Sequence, residues 1–377
     1  MQRVLIESDE ALARMFSHET SSGAVMVDTE FMRRSTFYPE VGLLQLCFAS
    51  DPPESETAWL IDPTKISDVS PLVACFADTS VLKVLHSASE DLEVFQRWLG
   101  QLPVPLFDSQ RAAALLGMGF GLGYRALVQQ ICDVDLPKGE TRSNWLQRPL
   151  TESQCEYAAQ DVTWLLRVWR ELHRRCEEEG RLEWVLSDGS NALSSLILSE
   201  SEPHEKIKSA WKLTPRQLAT LAAVCRWREK TAKQRNKPRA WIIDDQTCLQ
   251  VALSPATSLE QLANIEGLPA GVIKHYGNEL FQLMAEQRSL PEADLPKPLP
   301  SPLNSEQRGR MKELKERVRD EARRLRVEPE ILASKRDYEL LLREAAGVAI
   351  RTPQHWTGWR EDLVVRPLRE FLAETAQ

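Results

Sequence analysis

Paired cysteines, long apolar runs and clustered histidines are what this sequence lacks. Its seven cysteines (47, 75, 132, 155, 176, 225 and 248) are odd in number and scattered, with no C-x-x-C pair. That excludes a disulfide framework or a structural zinc site and fits a reducing compartment, the cytoplasm. No stretch approaches the roughly 20 apolar residues that span a bilayer, and the first residues, M-Q-R-V-L-I-E, lack a signal-peptide core, so no membrane role is expected. The six histidines offer no Ser-His-Asp arrangement; only His86 falls near acidic candidates. The G-M-G-F-G-L-G run at 117–123 follows a helical segment rather than a strand, so it reads as a turn between helices and not as a dinucleotide loop. Cations are in deficit, with a formal net charge of −8, which by itself argues against nucleic acid. Local patches reverse that argument.

What is present begins with Val25-Met-Val-Asp-Thr-Glu-Phe31. Side chains alternate along a strand, so Val25, Val27 and Phe31 share one face, and Ala24, Met26, Asp28 and Glu30 the other. Apolar residues on both faces predict a strand covered on both sides, as in an α/β sheet. Two carboxylates two residues apart on a buried face repel each other and lose hydration, and a cation between them relieves both penalties. Hard oxygen donors suit Mg²⁺ or Mn²⁺ better than zinc. An exposed acidic pair at a strand end is the plainer alternative.

Further strands are expected at 42–49, 57–62, 81–86 and 105–108, the short connections of the first ones predicting an antiparallel meander. Ser87 with Glu90 fits a capping box that opens a helix, with Asp91 in its first turn, where a structural role alone suffices. Thr151-Glu-Ser-Gln154 reads as a capping box that opens a long helix running to about 179. Within it Tyr157 and Asp161 stand one turn apart on a stripe continued by Leu165, Val168 and Leu172. An aspartate on an apolar stripe is anomalous: it is buried and paired, or it binds metal. Past residue 200 helical signals dominate. Between 206 and 239 eleven basic residues face one acid, Glu229, with Trp211, Trp227 and Trp241 interleaved. Such a run is either a solvated helix face or a nucleic-acid surface. Five prolines between 291 and 302 mark a semi-rigid linker, and 306–377 repeats the pattern of a basic helix followed by a turn and further helices.

Four acids therefore stand out: Asp28, Glu30, Asp91 and Asp161. Gathered at one sheet edge they would hold two divalent cations about 3.5–4 Å apart, a clamp for phosphodiester hydrolysis. V-D-T-E-F at Val27, H-S-A-S-E-D-L-E-V-F at His86 and Y-A-A-Q-D-V-T-W-L at Tyr157 resemble the three motifs of the DEDD exonuclease superfamily, in the subgroup with tyrosine in the third. The likeness extends through Y-P-E-V-G-L-L-Q-L, the R-x-x-W-x-x-R-P-L segment at 142–150 and two helical repeats similar to HRDC domains, so that the whole chain resembles the ribonuclease D family. The resemblance implies an α/β ribonuclease-H-like exonuclease domain (1–204), a first HRDC-like domain (205–289), a proline-rich linker (290–305) and a second, diverged HRDC-like domain (306–377). It implies catalysis by Asp28, Glu30, Asp91, Tyr157 and Asp161. Asp28, Glu30 and Asp161 would hold one cation, Asp28 and Asp91 a second (Mg²⁺ or Mn²⁺), and Tyr157 would orient the attacking water. The implied reaction is 3′→5′ trimming of RNA with a free 3′ end, tRNA precursors included, releasing 5′-mononucleotides. His86, Arg142 and Trp145 near the site, and Arg228, Lys233 and Arg235 on the basic run, are the candidate RNA contacts. Two rivals remain, a DNA proofreading exonuclease and an inactive shell that only binds RNA or a protein. The absence of a polymerase domain disfavours the first, and the intact acidic set disfavours the second.

Overall fold

The computed structural model describes residues 2–18, 23–49, 56–137, 139–140, 142–197 and 202–375. Residues 51–55, between the strands expected at 42–49 and 57–62, lie outside them. Two compact units result, one of residues 1–32, 39–198 and 303–377, the other of 33–38 and 199–302.

In the first unit the described residues form one six-stranded sheet, ordered β1 (Gln2–Ile6), β4 (Thr57–Ile61), β3 (Glu40–Phe48), β2 (Ala24–Met32), β5 (Leu82–Leu85), β6 (Leu106–Asp108). β2, β3 and β4 are the expected antiparallel meander, and β1, β5 and β6 join it in parallel. Alternation along β2 divides the core as its sequence requires. Val25 and Val27 pack with α1 (Asp9–His18), α2 (Ser70–Ala77) and α3 (Ser89–Trp98), through residues such as Leu12, Phe76 and Phe95. Ala24 and Met26 pack on the opposite layer, formed by α4 (Ser109–Leu115), α5 (Tyr124–Cys132) and α6 (Glu152–Glu178), through Ala113, Leu127, Ala158 and Val162. Asp28 and Glu30 continue the second parity and so face the α6 layer. The glycine run lies between α4 and α5, a turn between helices as expected. α7 (Leu182–Ile197) closes the sheet beside β6.

The second unit is helical: α8 (Pro215–Arg235), α9 (Arg239–Ile242), α10 (Asp245–Leu253), α11 (Leu259–Ala263) and α12 (Ala270–Ser289). Trp227, Ile242, Cys248, Leu262 and Leu280 form its core, and Phe37 from the segment after β2 is buried among them. Asn236, which ends α8 in the left-handed conformation (φ 47°), accepts the backbone N–H groups of Phe37 and Tyr38 at 3.0 and 3.1 Å.

α13 (Ser305–Leu325), α14 (Pro329–Leu332), α15 (Lys335–Ala345) and α16 (Arg366–Glu374) share the core of the first unit, to which Ile331, Leu332, Val365 and Leu368 contribute together with Ala113 and Val185. Buried Asp188 on α7 ties them down. It accepts from Arg360 at 2.9 Å and from Arg111 at 2.6 Å, and the two guanidiniums hold its carboxyl below the usual range despite burial.

Candidate active site

Each motif reaches the site by its own local logic. Asp28 and Glu30 sit near the end of β2, where a register shift between Glu30 and Phe31 interrupts the ladder to β3. Asp161 sits on α6, whose start is the predicted capping box: Gln154 N–H to Thr151 Oγ1 at 3.1 Å, and Thr151 N–H to Gln154 Oε1 at 3.0 Å. Carboxylate oxygens of Asp28, Glu30 and Asp161 lie within 4.8 Å of one another. Asp91, on the first turn of α3, accepts a hydrogen bond from Thr29, the residue between the two strand acids. Asp28, Glu30, Asp161 and Tyr157 line a cavity of about 200 Å³ with Thr29, His86, Tyr124 and Leu165.

The electrostatics suit a bound divalent cation. Burial, then the charges of Asp161, Asp91 and Glu30, hold the Asp28 carboxyl well above its usual range. Burial with Asp161 and Asp91 pushes Glu30 up to about 9. Burial raises Asp161 to about 8 against a hydrogen bond from Tyr157, and Asp91 to about 7 against its bond from Thr29. Carboxyls at 3.9–4.3 in water do not gather in this way unless something positive belongs among them. An all-oxygen donor set is that of a hard divalent ion.

Several supporting residues carry no signal in the sequence. The Tyr124 hydroxyl donates to the main-chain carbonyl of Asp161 at 2.6 Å and so fixes the turn of α6 that presents this acid. Tyr124 starts a helix 37 residues away, and only the packing of α5 on α6 reveals the pairing. α3 is not capped by Ser87, which adopts φ 59°, and the Ser87–Glu90 capping box does not form. Asp108 replaces it, accepting the N–H groups of Ser87 and Ala88 at 3.0 Å each and of Gln110 at 2.9 Å, which binds the start of α3 to that of α4. A carboxylate delivered by a neighbouring strand serves two helices at once, which a local hydroxyl cannot do.

His86 stands half-buried in the cavity wall, its Nδ1 2.9 Å from Ser109 Oγ, and Arg142 is exposed. Trp145 corrects the expectation of an RNA contact. Its side chain is only 1% exposed and packs behind Tyr157, ring centroids 6.2 Å apart. Its backbone presses on Gly42, where an added Cβ would come within 2.6 Å of the Trp145 carbonyl. Arg148 anchors the same loop through Asp62, at 2.6 and 2.7 Å. In the second unit Arg228 is corrected as well: it is 4% exposed and bonds Asp245 at 2.8 Å and the Ile243 carbonyl at 3.2 Å, so it holds the module together. Lys233 and Arg235 are exposed.

Gly139 lies against the ring of Tyr157, where a Cβ would overlap the ring carbons at 1.9 and 2.0 Å. Its neighbour Glu140 is held to α6 by Ser153 Oγ at 2.6 Å, which limits how far the loop can withdraw. Gly139→Ala should therefore displace the tyrosine and lower kcat roughly ten- to a hundredfold, since an error of 1 Å in a catalytic group costs about that much. Steady-state kinetics on a short RNA checks it; an unchanged kcat would show that the loop yields instead.

The match of a family profile places this sheet, with acids delivered by β2, α3 and α6, among the 3′→5′ exonucleases. A profile of that family (3'-5' exonuclease) matches residues 4–177, and one of the HRDC domain matches 217–284. The chain is 41% identical over 371 residues to the ribonuclease D of Pseudomonas paraeruginosa, covering 97% of this chain and 96% of that one. It is 34% identical to the Escherichia coli ribonuclease D over the full length of both. The crystal structure of the E. coli enzyme, described as an exoribonuclease involved in structured RNA processing, superposes with a TM-score of 0.89 over 99% of both chains at 35% identity. The chain belongs to the ribonuclease D family and is a 3′→5′ exoribonuclease, a phosphodiester hydrolase.

Proposed function

We propose that this enzyme trims the 3′ ends of structured RNA, tRNA precursors among them, releasing 5′-mononucleotides with the help of two divalent cations, Mg²⁺ or Mn²⁺, in the cytoplasm. The observation that carries the reading is the convergence of Asp28, Glu30 and Asp161 within 4.8 Å, with Asp91 held beside them by Thr29. Asp28, Glu30 and Asp161 would hold one ion, and Asp28 with Asp91 the other. When bound, such ions polarise the phosphate and make water acidic enough to attack near neutral pH. The chain's own groups do the rest. Tyr157 holds the nucleophilic water in line, and Tyr124 keeps Asp161 in register beneath it. His86, in the cavity wall, would grip the terminal nucleotide, and exposed Arg142 is the candidate contact for the RNA leading to it. Seven free cysteines suit a reducing compartment.

Work from a free 3′-hydroxyl requires the terminal nucleotide to enter the cavity, so a tRNA with a 3′ extension should shorten stepwise while a circular RNA of the same sequence persists. Chelation of divalent ions should stop the reaction, and Mg²⁺ or Mn²⁺ should restore it. Gel analysis of both substrates decides the matter; cleavage of the circle by pure enzyme would make it an endonuclease.

A further inference from the structure

The helical modules of the two units open on one plan, their first three helices shifted by 90 positions. Pro215–Arg235 corresponds to Ser305–Leu325, Arg239–Ile242 to Pro329–Leu332, and the start of Asp245–Leu253 to that of Lys335–Ala345. The details repeat too. Thr214 and Asn304 open the long helices with capping boxes, and Asn236 and Arg326 close them in the left-handed conformation. The segments after the two long helices differ in chemistry. In the later module Leu325, Val327, Pro329 and Ile331 alternate there; Val327 and Ile331 are buried in the core shared with the exonuclease domain, and Leu325 packs against it. In the earlier module the same positions are Arg235, Lys237, Arg239 and Trp241.

One contact surface has thus been rewritten from apolar to cationic and aromatic. Trp241 is 61% exposed, whereas Ile331, its counterpart, is 1% exposed. The Lys237 ammonium stands 5.6 Å from the centroid of the Trp241 ring. Arg239 is held in place, stacked 4.6 Å over Phe37 and bonded to Glu229 at 2.9 Å. Among the described residues neither Arg235 nor Lys237 pairs with a carboxylate. An exposed indole with the Lys237 ammonium beside it, and exposed Arg235 two positions earlier in the chain, matches a nucleobase and its flanking phosphates, because every base has a π-face and every linkage a charge.

We infer that Trp241, Lys237 and Arg235 form a subsite that stacks one base of a single-stranded RNA segment and binds the phosphates next to it. The inference rests on RNA being the substrate, as proposed above, and adds a place where it is held without regard to sequence. An acidic protein partner is the competing occupant.

The test uses the full chain with divalent ions chelated, so that nothing is hydrolysed, and labelled oligo(U) and oligo(A) as probes over a range of salt. Trp241→Ala should weaken both roughly 5- to 150-fold, the range expected for one lost stack. Trp241→Phe should recover most of the affinity. Lys237→Gln should lower the slope of log affinity against log salt by about 0.7, one counterion on a single strand. Trp211→Ala, which removes another tryptophan of the same module (39% exposed), should bind as wild type. Because Trp241 is exposed, melting temperatures should not move. Affinity and slope unchanged in Trp241→Ala and Lys237→Gln would overturn the subsite while leaving the exoribonuclease reading intact. So would loss only in Trp211→Ala, or loss of binding to a poly-glutamate probe but not to RNA. Wild-type protein that binds neither oligonucleotide would overturn both.

Discussion

Asp28→Asn should lower turnover by well over 100-fold while leaving the chain folded. Groups that merely orient a metal ligand already contribute about 10–100-fold, and Asp28 stands at the centre of the cage, beside Glu30, Asp91 and Asp161. The same substitution should stabilise the metal-free protein. Glu30, Asp161 and Asp91 titrate near 9, 8 and 7 in the folded chain, above their values in water. The folded form therefore binds more protons than the unfolded one between about pH 4 and 9. This contribution to stability is fully present below about pH 4 and is lost as pH rises through the folded pKa values. Metal-free wild type should accordingly melt at progressively lower temperature from pH 5 to pH 9. Asp28→Asn, with one repelling charge removed, should show a shallower decline and a higher Tm at pH 8. Calorimetry in chelator, with nuclease assays in Mg²⁺, measures both arms. Near wild-type hydrolysis by the variant would remove the acid cage from the mechanism.

Tyr157→Phe should lower kcat by about 10²–10⁴-fold, the usual contribution of a positioned proton donor or acceptor, while affinity for RNA changes little. Burial and the surrounding carboxylates push the phenol's pKa up, so Tyr157 should keep its proton and act by donating and positioning rather than as a base. The phenylalanine ring preserves the packing against Trp145 and Gly139, so the fold should not change. Single-turnover kinetics separates the effects: a binding defect with intact chemistry would make the tyrosine a stacking residue instead.

Motifs that obey short-range rules were legible. Alternation in β2 placed Asp28 and Glu30 on the α6 face, and the Thr151 capping box together with helical spacing set Tyr157 above Asp161. Charge was less legible, because a cation's formal charge says nothing of where its side chain goes. Arg228 lies on the same basic run as Arg235, yet its guanidinium is buried against Asp245 and the Ile243 carbonyl. Charge reversal there would disrupt the module rather than probe RNA binding; Arg235 and Lys237 are the informative positions. Removing everything after residue 201 would likewise disturb more than RNA binding, since α14 and α16 supply Ile331, Leu332 and Leu368 to the exonuclease core.

The sequence by itself determined which acids and which tyrosine the fold gathers, since two strand acids, a helix-start acid and a tyrosine–aspartate turn are patterns of period two and period 3.6. It also showed a helical domain over the stretch that matches the HRDC profile, through its basic helix and the turns that follow. Only the tertiary structure decided which helix entries are held from afar, as Asp108 holds the residues leading into α3, and which tyrosine holds Asp161 by its main chain. It alone separated the tryptophan that packs, Trp145, from the one that faces solvent, Trp241. Those outcomes depend on contacts between residues far apart in the chain, and the local pattern around a side chain carries no record of what will be folded against it.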